Sequence, residues 1–490
     1  MRYISTRGNE EKLTSAAAII AGLAPDRGLY VPEHIPALPC QAKDLTGASY
    51  ADEVKKILGA FFTDFPEEEL AACAKKAYDD KFDTPDIAPV AKTDKAYFLE
   101  LWHGSTAAFK DMALSILPWL LKAAARKEGE DKKIIILTAT SGDTGKAALA
   151  GFTGVPGIEA VVFYPKDGVS AVQERQMVTQ KGDNVHVFGI RGNFDDAQRG
   201  VKDVFNDRRF AEKLASCGYR LSSANSINIG RLIPQIAYYT NAYARLLAKG
   251  EITAGERINI CVPTGNFGNI LAAWYAKQMG LPVARLICAS NENKILTDFI
   301  NTGAYDARRE FILTSSPSMD ILVSSNLERL LWHLSGGESD RIRELMTGLE
   351  ENGFYDAGDG MKEALREFHG GYADMAVSHA ALAKLWHEEK YLIDTHTAVA
   401  YAVYLDYRER TGDDTKTIIA STASPYKFAG NVARAIGASV CEDEFRTIEN
   451  LREATGLPIP GSLKALDAEP VLHDAVIDKN EIKTAVAGSL

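Results

Sequence analysis

The sequence predicts an α/β protein built on parallel sheet and preceded by a mainly helical segment. From residue 97 onward, short apolar runs rich in Ile and Val recur without polar alternation, at 133–137, 160–164, 185–188, 258–262, 284–289 and 417–420. Runs of that kind suit strands buried on both faces. Between them lie segments with apolar residues at helical spacing, and alternation of strand and helix is the pattern of a parallel sheet covered by helices. At 490 residues the chain is too long for one core and suggests about three domain-sized units.

Taken in order, residues 1–95 read as a separate helical unit, with amphipathic segments at 15–23, 50–62 and 67–78 and breaks at Pro25, Pro32, Pro36 and Pro39. The strand–helix alternation follows. Residues 290–395 carry helical stretches at 325–334, 360–368 and 375–386 without strands, which predicts a helical insertion before the sheet resumes. The segment after residue 438 is charged and mixed and suggests no role.

Composition removes several function classes. Hydrophobic residues at 46% and charged residues at 25% are ordinary globular values. A net charge of −11 argues against nucleic acid or an anionic membrane as partner, while leaving room for a local cationic pocket. The six cysteines form no C-x-x-C pair and no cluster with histidine, which predicts reduced thiols in a cytoplasmic protein and no metal site. No apolar run approaches the ~20 residues of a membrane span. The run at 15–24 follows Glu10, Glu11 and Lys12 and reads as a packed helix, not a signal peptide.

Four segments are candidates for chemistry. In residues 103–111 (HGSTAAFKD), a polar turn meets an apolar helical segment with Lys110 at the boundary. A lysine beside Phe109 and two alanines is a candidate desolvated amine, because burial disfavours the ammonium and a neutral amine is what attacks a carbonyl. The competing reading is a surface lysine with its stem laid over apolar neighbours. Residues 134–146 run from a strand into a Gly/Ser/Thr turn, TSGDTG, and then an Ala-rich helix whose free N–H groups suit a carboxylate or phosphate. A nucleotide-binding P-loop fails there at Ala139 and Ala147. An ordinary turn capped by Asp143 or Thr144 stays open as an alternative.

Residues 263–269 (PTGNFGN) follow a strand, and two glycines separated by Asn266 and Phe267 allow a tight turn whose amides converge on an anion. Gly192-Asn193-Phe194 looks similar, but Asp195 and Asp196 come next and would repel a phosphate, so that turn reads as a self-capped helix start. The fourth segment, residues 420–425, ends a strand in small hydroxylated residues that could bond a ligand or simply form a turn before Pro425. In an open α/β sheet such turns lie at the carboxyl ends of strands, where ligands bind. The nine histidines do not cluster, and all but His103 read as surface or core residues.

Together these segments resemble threonine synthase, a pyridoxal-phosphate enzyme family of the tryptophan-synthase-β-like fold. The resemblance begins at Met1-Arg2-Tyr3 and residues 22–32 (GLAPDRGLYVP). It continues through HGSTAAFKD, TSGDTG, residues 226–235 (SINIGRLIPQ), PTGNFGN, residues 318–330 (SMDILVSSNLERL) and STASPYKF. Arg27, Ser105 and Ser424 depart from it, standing where relatives usually have Gly, Pro and His.

The resemblance implies two doubly wound α/β subdomains with the cofactor between them. The large one would comprise residues 96–127 and 226–460 with the insertion at 290–395. The small one would span 128–225, behind an N-terminal domain at 1–95 and ahead of a C-terminal extension at 461–490. It also implies that Lys110 carries pyridoxal 5′-phosphate as a Schiff base. Gly265, Asn266, Phe267, Gly268 and Asn269 would bind the cofactor phosphate. Thr422 would meet the pyridine nitrogen, and Asp143 would approach the ring hydroxyl. Ser141, Gly142 and Thr144 would receive the substrate carboxylate, with Asn228 and Arg231 at the substrate phosphate. The implied enzyme is a monomeric lyase of threonine biosynthesis that converts O-phospho-L-homoserine and water to L-threonine and phosphate. An amino-acid dehydratase or β-replacement synthase is the nearest rival, and a binding protein without catalysis is the rival of a different class.

Overall fold

A computed structural model describes residues 1–40, 42–78 and 80–490. Among these, two larger sheets organise the chain. The six-stranded sheet is centred on Ile258–Pro263, with Val283–Ser290 and Thr417–Ser421 parallel on either side. Phe368–Tyr372 extends one edge in parallel, and Tyr97–Glu100 followed by antiparallel Val90–Lys92 completes the other. Consecutive residues explain why these runs are unbroken apolar. Ile258, Ile260 and Val262 enter one core while Cys261 enters another, formed with the helices Met375–Glu389 and Thr395–Thr411.

The five-stranded sheet obeys the same rule. Ile134 and Ile136 face the core shared with the helix Asp143–Phe152. Ile135 and Leu137 face a second core with the helices Phe194–Asn206 and Ile482–Gly488. All six strands expected from the sequence form, each extended by one to three residues at one or both ends. The C-terminal segment acquires a place that its composition did not suggest. Val476–Asp478 adds in parallel to Val185–Arg191 as the edge strand of the smaller sheet.

Two expectations need correction. The insertion at 290–395 is not free of strands, since Phe368–Tyr372 is an edge strand and Ala304–Asp306 pairs with Phe354–Asp356. Its sequence, FHGGY, lacks β-branched residues because helices press against it. A Cβ on Gly371 would come within 2.5 Å of Val403, and one on Gly370 within 3.0 Å of the Thr297 carbonyl oxygen. Nor does the N-terminal unit have a core of its own. Its helices Ser15–Ala21, Tyr50–Phe61 and Glu67–Ala77 contribute Ile19, Ile57, Phe61 and Leu70 to the same cluster as Leu117, Ile236 and Tyr275. Tyr3–Ser5 and Tyr30–Pro32 form a small antiparallel ribbon beside them. Between these strands Arg27 adopts φ of 66°, the left-handed conformation that glycine takes without strain.

Candidate active site

Lys110 is held by a short local design. Asp111 is buried and accepts the backbone N–H of Thr106 at 2.8 Å and its hydroxyl at 2.8 Å, folding the chain back on itself. Gly104 is required beside it, since a Cβ there would lie 2.6 Å from the Asp111 side chain. The turn then docks on the segment after Thr417–Ser421. Phe109 donates its N–H to the Thr422 carbonyl at 2.8 Å, Ser424 donates to the Ala107 carbonyl at 3.0 Å, and Ala108 bridges Ala423. Thr422, itself buried, is thereby tied to the residue preceding Lys110, more than 300 positions away in sequence.

The Lys110 ammonium sits 5.2 Å from the Phe109 ring centroid and donates to Ser318 Oγ at 3.1 Å and Asp143 Oδ2 at 3.3 Å. Burial pushes its pKa down, and nearby Lys427 and Arg231 add to that, against the opposing pull of Asp143. Asp143 is itself ringed by donors. Gln173 Nε2 gives its Oδ1 a hydrogen bond at 2.9 Å and Lys427 Nζ lies 3.0 Å from the same oxygen. Burial works against its charge, yet the two lysines and Gln173 outweigh it and hold the carboxyl well below the usual carboxylate range.

Asp143 opens the helix Asp143–Phe152, whose N-cap is Gly142 at φ of 129°. Neither Asp143 nor Thr144 caps this helix, contrary to the turn-only reading. Thr140 Oγ1 does so, accepting the N–H groups of Gly142 at 3.0 Å and Gly145 at 2.9 Å. Gly142 has no room for a side chain because Gln173 would stand 2.4 Å from its Cβ. Ser141 is exposed at this helix start and Thr144 is half-buried in its first turn.

The 265–269 turn leads into the helix Gly268–Gln278 with Phe267 as N-cap at φ of 62°. Segment 318–326 lies against it. Ser324 Oγ donates to the Gly265 carbonyl at 2.8 Å, and Asn326 donates its N–H and Nδ2 to the Asn266 carbonyl at 3.1 and 3.0 Å. A Cβ at Gly265 would meet the Ser318 carbonyl oxygen at 2.4 Å, so only glycine fits. Asn269 is buried, and its Oδ1 accepts the hydroxyls of Tyr238, at 2.7 Å, and Tyr239. Its Nδ2 has no partner among the described residues. A helix N-terminus with an orphaned buried donor fits the phosphate of pyridoxal phosphate, and half-buried Lys110 fits its aldehyde. The similar turn at 192–194 is closed by its own capping box, Asn193 with Asp196.

Arg231 is buried in the short helix Ile229–Leu232. Nη1 donates to the Ala224 carbonyl at 2.9 Å, while Nε has no partner among the described residues. Burial lowers its pKa to about 10. Asn228 caps that helix with its side chain fully engaged. Nδ2 donates to the carbonyls of Ile19 and Ser223, and Oδ1 accepts the Gly230 N–H. His103 lies outside this cluster, between Asp83 and Glu100.

Four residues of the cluster escaped the sequence reading. Lys427, Gln173 and Ser318 all touch Asp143, and His396 Nε2 accepts the Ser318 N–H at 3.1 Å. The only signal for Lys427 was a lysine in the otherwise small and aromatic STASPYKF segment.

Three family models match consecutive parts of the chain: "Threonine synthase N terminus" over residues 2–78, "Pyridoxal-phosphate dependent enzyme" over 83–422 and "Threonine synthase, C-terminal" over 397–461. Threonine synthase-like 1 of Homo sapiens is 38% identical over 98% of this chain, which spans 64% of that protein's length. Threonine synthase of Methylobacillus glycogenes is 37% identical, covering 89% of this chain and 92% of its own. Among solved structures, pyridoxal-phosphate-bound threonine synthase from Brucella melitensis superposes with a TM-score of 0.87 at 34% identity, over 99% of both chains. The yeast enzyme gives a TM-score of 0.88 at 30% identity, over 100% of this chain and 98% of its own.

Proposed function

Because this chain belongs to the threonine synthase family of pyridoxal-phosphate-dependent enzymes, we propose that it converts O-phospho-L-homoserine and water to L-threonine and phosphate. One observation carries the reading: a half-buried lysine feels the charge of a buried arginine that has an unspent donor. A dehydratase acting on serine or threonine has no phosphate to bind and no use for that second cation.

Lys110 would hold the cofactor, with residues 265–269 at its phosphate, Thr422 at its pyridine nitrogen and Asp143 at its ring hydroxyl. The substrate carboxylate would meet the helix start at Ser141, Gly142 and Thr144. Its phosphate would be gripped by Arg231, whose planar guanidinium suits two phosphate oxygens at once. Asn228 supports that grip by shaping the turn, since its carbonyl accepts the Arg231 N–H at 2.9 Å.

Phosphate leaves from Cγ, two bonds beyond the carbon bearing the amine, so protons must first leave Cα and then Cβ. Pyridoxal phosphate, when bound, supplies the electron sink for the charge left on those carbons. Lys110 is the mobile base. Its amine, once released, takes the Cα proton, passes it on to solvent and, neutral again, takes the Cβ proton. Phosphate departs with the electron pair of the Cγ–O bond, Cγ regains a proton, water adds at Cβ and Cα is reprotonated. Ser318 Oγ, bonded to both Lys110 and Asp143, steadies the amine between these positions.

We also read the protein as a monomer in the cytoplasm. Its six cysteines are unpaired, which supports a reducing compartment. A one-chain mass in light scattering is expected, and a dimer mass overturns the first half of that reading. The activity is tested by supplying O-phospho-L-homoserine to the cofactor-loaded chain. Threonine and phosphate should appear in equal amounts, and Lys110→Ala should abolish both. Release of keto acid from serine or threonine, with O-phospho-L-homoserine untouched, would establish the dehydratase instead.

A further inference from the structure

We propose that Lys427 is a positioning residue for the Lys110 amine: its ammonium fixes the Asp143 carboxylate that Lys110 faces, and keeps that carboxylate charged when Lys110 gives up its own proton. The inference rests on Lys110 being the cofactor lysine. Lys427 lies in the 3₁₀ turn Pro425–Phe428, and its side chain is 0% exposed. Nζ has two partners, the Thr106 carbonyl at 2.9 Å and Asp143 Oδ1 at 3.0 Å. The other carboxylate oxygen, Oδ2, faces Lys110 at 3.3 Å and Ser318 Oγ at 3.2 Å. One buried carboxylate therefore stands between two ammonium groups, one on each oxygen.

The arrangement has a direct consequence. A lysine must be uncharged to bond to a carbonyl carbon. If Asp143 were paired with Lys110 alone, neutralising Lys110 would strand a buried carboxylate without a cation, and the pair would hold its proton. With Lys427 on Oδ1, Asp143 stays compensated and Lys110 is free to lose its charge. The surrounding groups do not cancel this effect. Arg231 adds positive charge from its own helix, and Asp111 is occupied by Thr106. Lys146, beside Asp111, donates to Gln180 at 2.6 Å. The influence of Lys427 runs in the required direction on both partners, lowering the pKa of Lys110 and of Asp143.

The test is trace acetylation of the cofactor-free, full-length chain as a function of pH, with Lys110 reactivity read by peptide mapping. Lys427→Met should raise the apparent pKa of Lys110 by about one unit, a roughly tenfold loss of reactivity at a fixed lower pH. Lys427→Arg should restore most of it. A merely structural anchor would lower the melting temperature and leave the Lys110 titration unmoved, and that result overturns the proposal. Should Lys427→Met not fold, the charge-balanced Lys427→Met/Asp143→Asn chain decides. Recovery of a folded, Lys110-reactive chain supports the pairing, and no recovery sinks it. Failure of the underlying reading looks different, because borohydride reduction of the loaded enzyme would then mark another lysine.

Discussion

His396 accepts the backbone N–H of Ser318 at 3.1 Å through Nε2, while its Nδ1 faces Asp394 Oδ2 at 2.8 Å. Because Nε2 accepts, the ring proton sits on Nδ1 and is donated to Asp394, which also caps the helix Thr395–Thr411. The ring is thus locked, and it locks the residue whose hydroxyl touches Lys110. Ser318→Ala should cut turnover by one to two orders of magnitude, since a hydrogen bond to a charged group contributes ~1.5–3 kcal/mol. His396→Phe should lower turnover similarly and also cost ~1–3 kcal/mol of stability by stranding the Ser318 N–H. Wild-type turnover in both variants would remove Ser318 from the mechanism.

The two glycines of the 265–269 turn make opposite predictions. At Gly265 an added Cβ meets the Ser318 carbonyl oxygen at 2.4 Å, whereas at Gly268 the nearest atom is Asn326 Nδ2 at an ordinary 3.5 Å. Gly265→Ala should therefore weaken cofactor binding severely, and Gly268→Ala should be tolerated. Gly268→Asp should weaken it again by setting a carboxylate at the helix N-terminus. Equilibrium dialysis with pyridoxal phosphate gives the ranking. Equal affinity in all three would put the phosphate elsewhere, with the 142–145 helix start next in line.

Arg231→Lys keeps a positive charge but loses the planar fork and the orphaned Nε donor. Turnover of O-phospho-L-homoserine should fall by one to two orders of magnitude, in line with ~1.5–3 kcal/mol for a charged hydrogen bond. The visible spectrum of the bound cofactor should not change. An altered spectrum with intact turnover would mean that Arg231 serves the cofactor and not the substrate.

His103 yields a pH prediction. Burial opposes its charge, but hydrogen bonds with Asp83 at 2.5 Å and Glu100 at 2.9 Å outweigh that and carry its pKa up to about 9. A raised folded pKa means stability fully present below the unfolded value, ~6.5, and lost as pH rises through about 9. The contribution is at most ~3.4 kcal/mol, from 1.36 kcal/mol per unit, and less once solvent screening of the exposed Asp83 is counted. His103→Gln should flatten the fall in melting temperature across that window. A profile parallel to wild type would show that the ion triad contributes nothing.

Much of the site was legible because its local parts are self-contained. Gly104, Thr106 and Asp111 fold the Lys110 turn within nine residues of sequence, and Asp195 and Asp196 betray the self-capped helix at 194 without reference to anything distant. At Asn228 local pattern does not suffice. Its motif pointed to a ligand, and the fold engages both its donors and its acceptor in the turn before Arg231.

The sequence alone determined six of the strands, most of the helical segments and the lysine turn, because each depends on periodicity or capping within a few residues. Tertiary structure decided which side chains meet. Lys110, Asp143, Gln173, Ser318, His396 and Lys427 come from six separate segments and converge only when the two sheets are assembled. It also decided strands that composition hid, two of them at sheet edges. The glycines of 368–372 make room for neighbouring helices, and 476–478 is a strand because the open edge at 185–191 supplies its hydrogen-bond partners. Such contacts span tens to hundreds of residues, and no local pattern encodes a partner that only docking brings within reach.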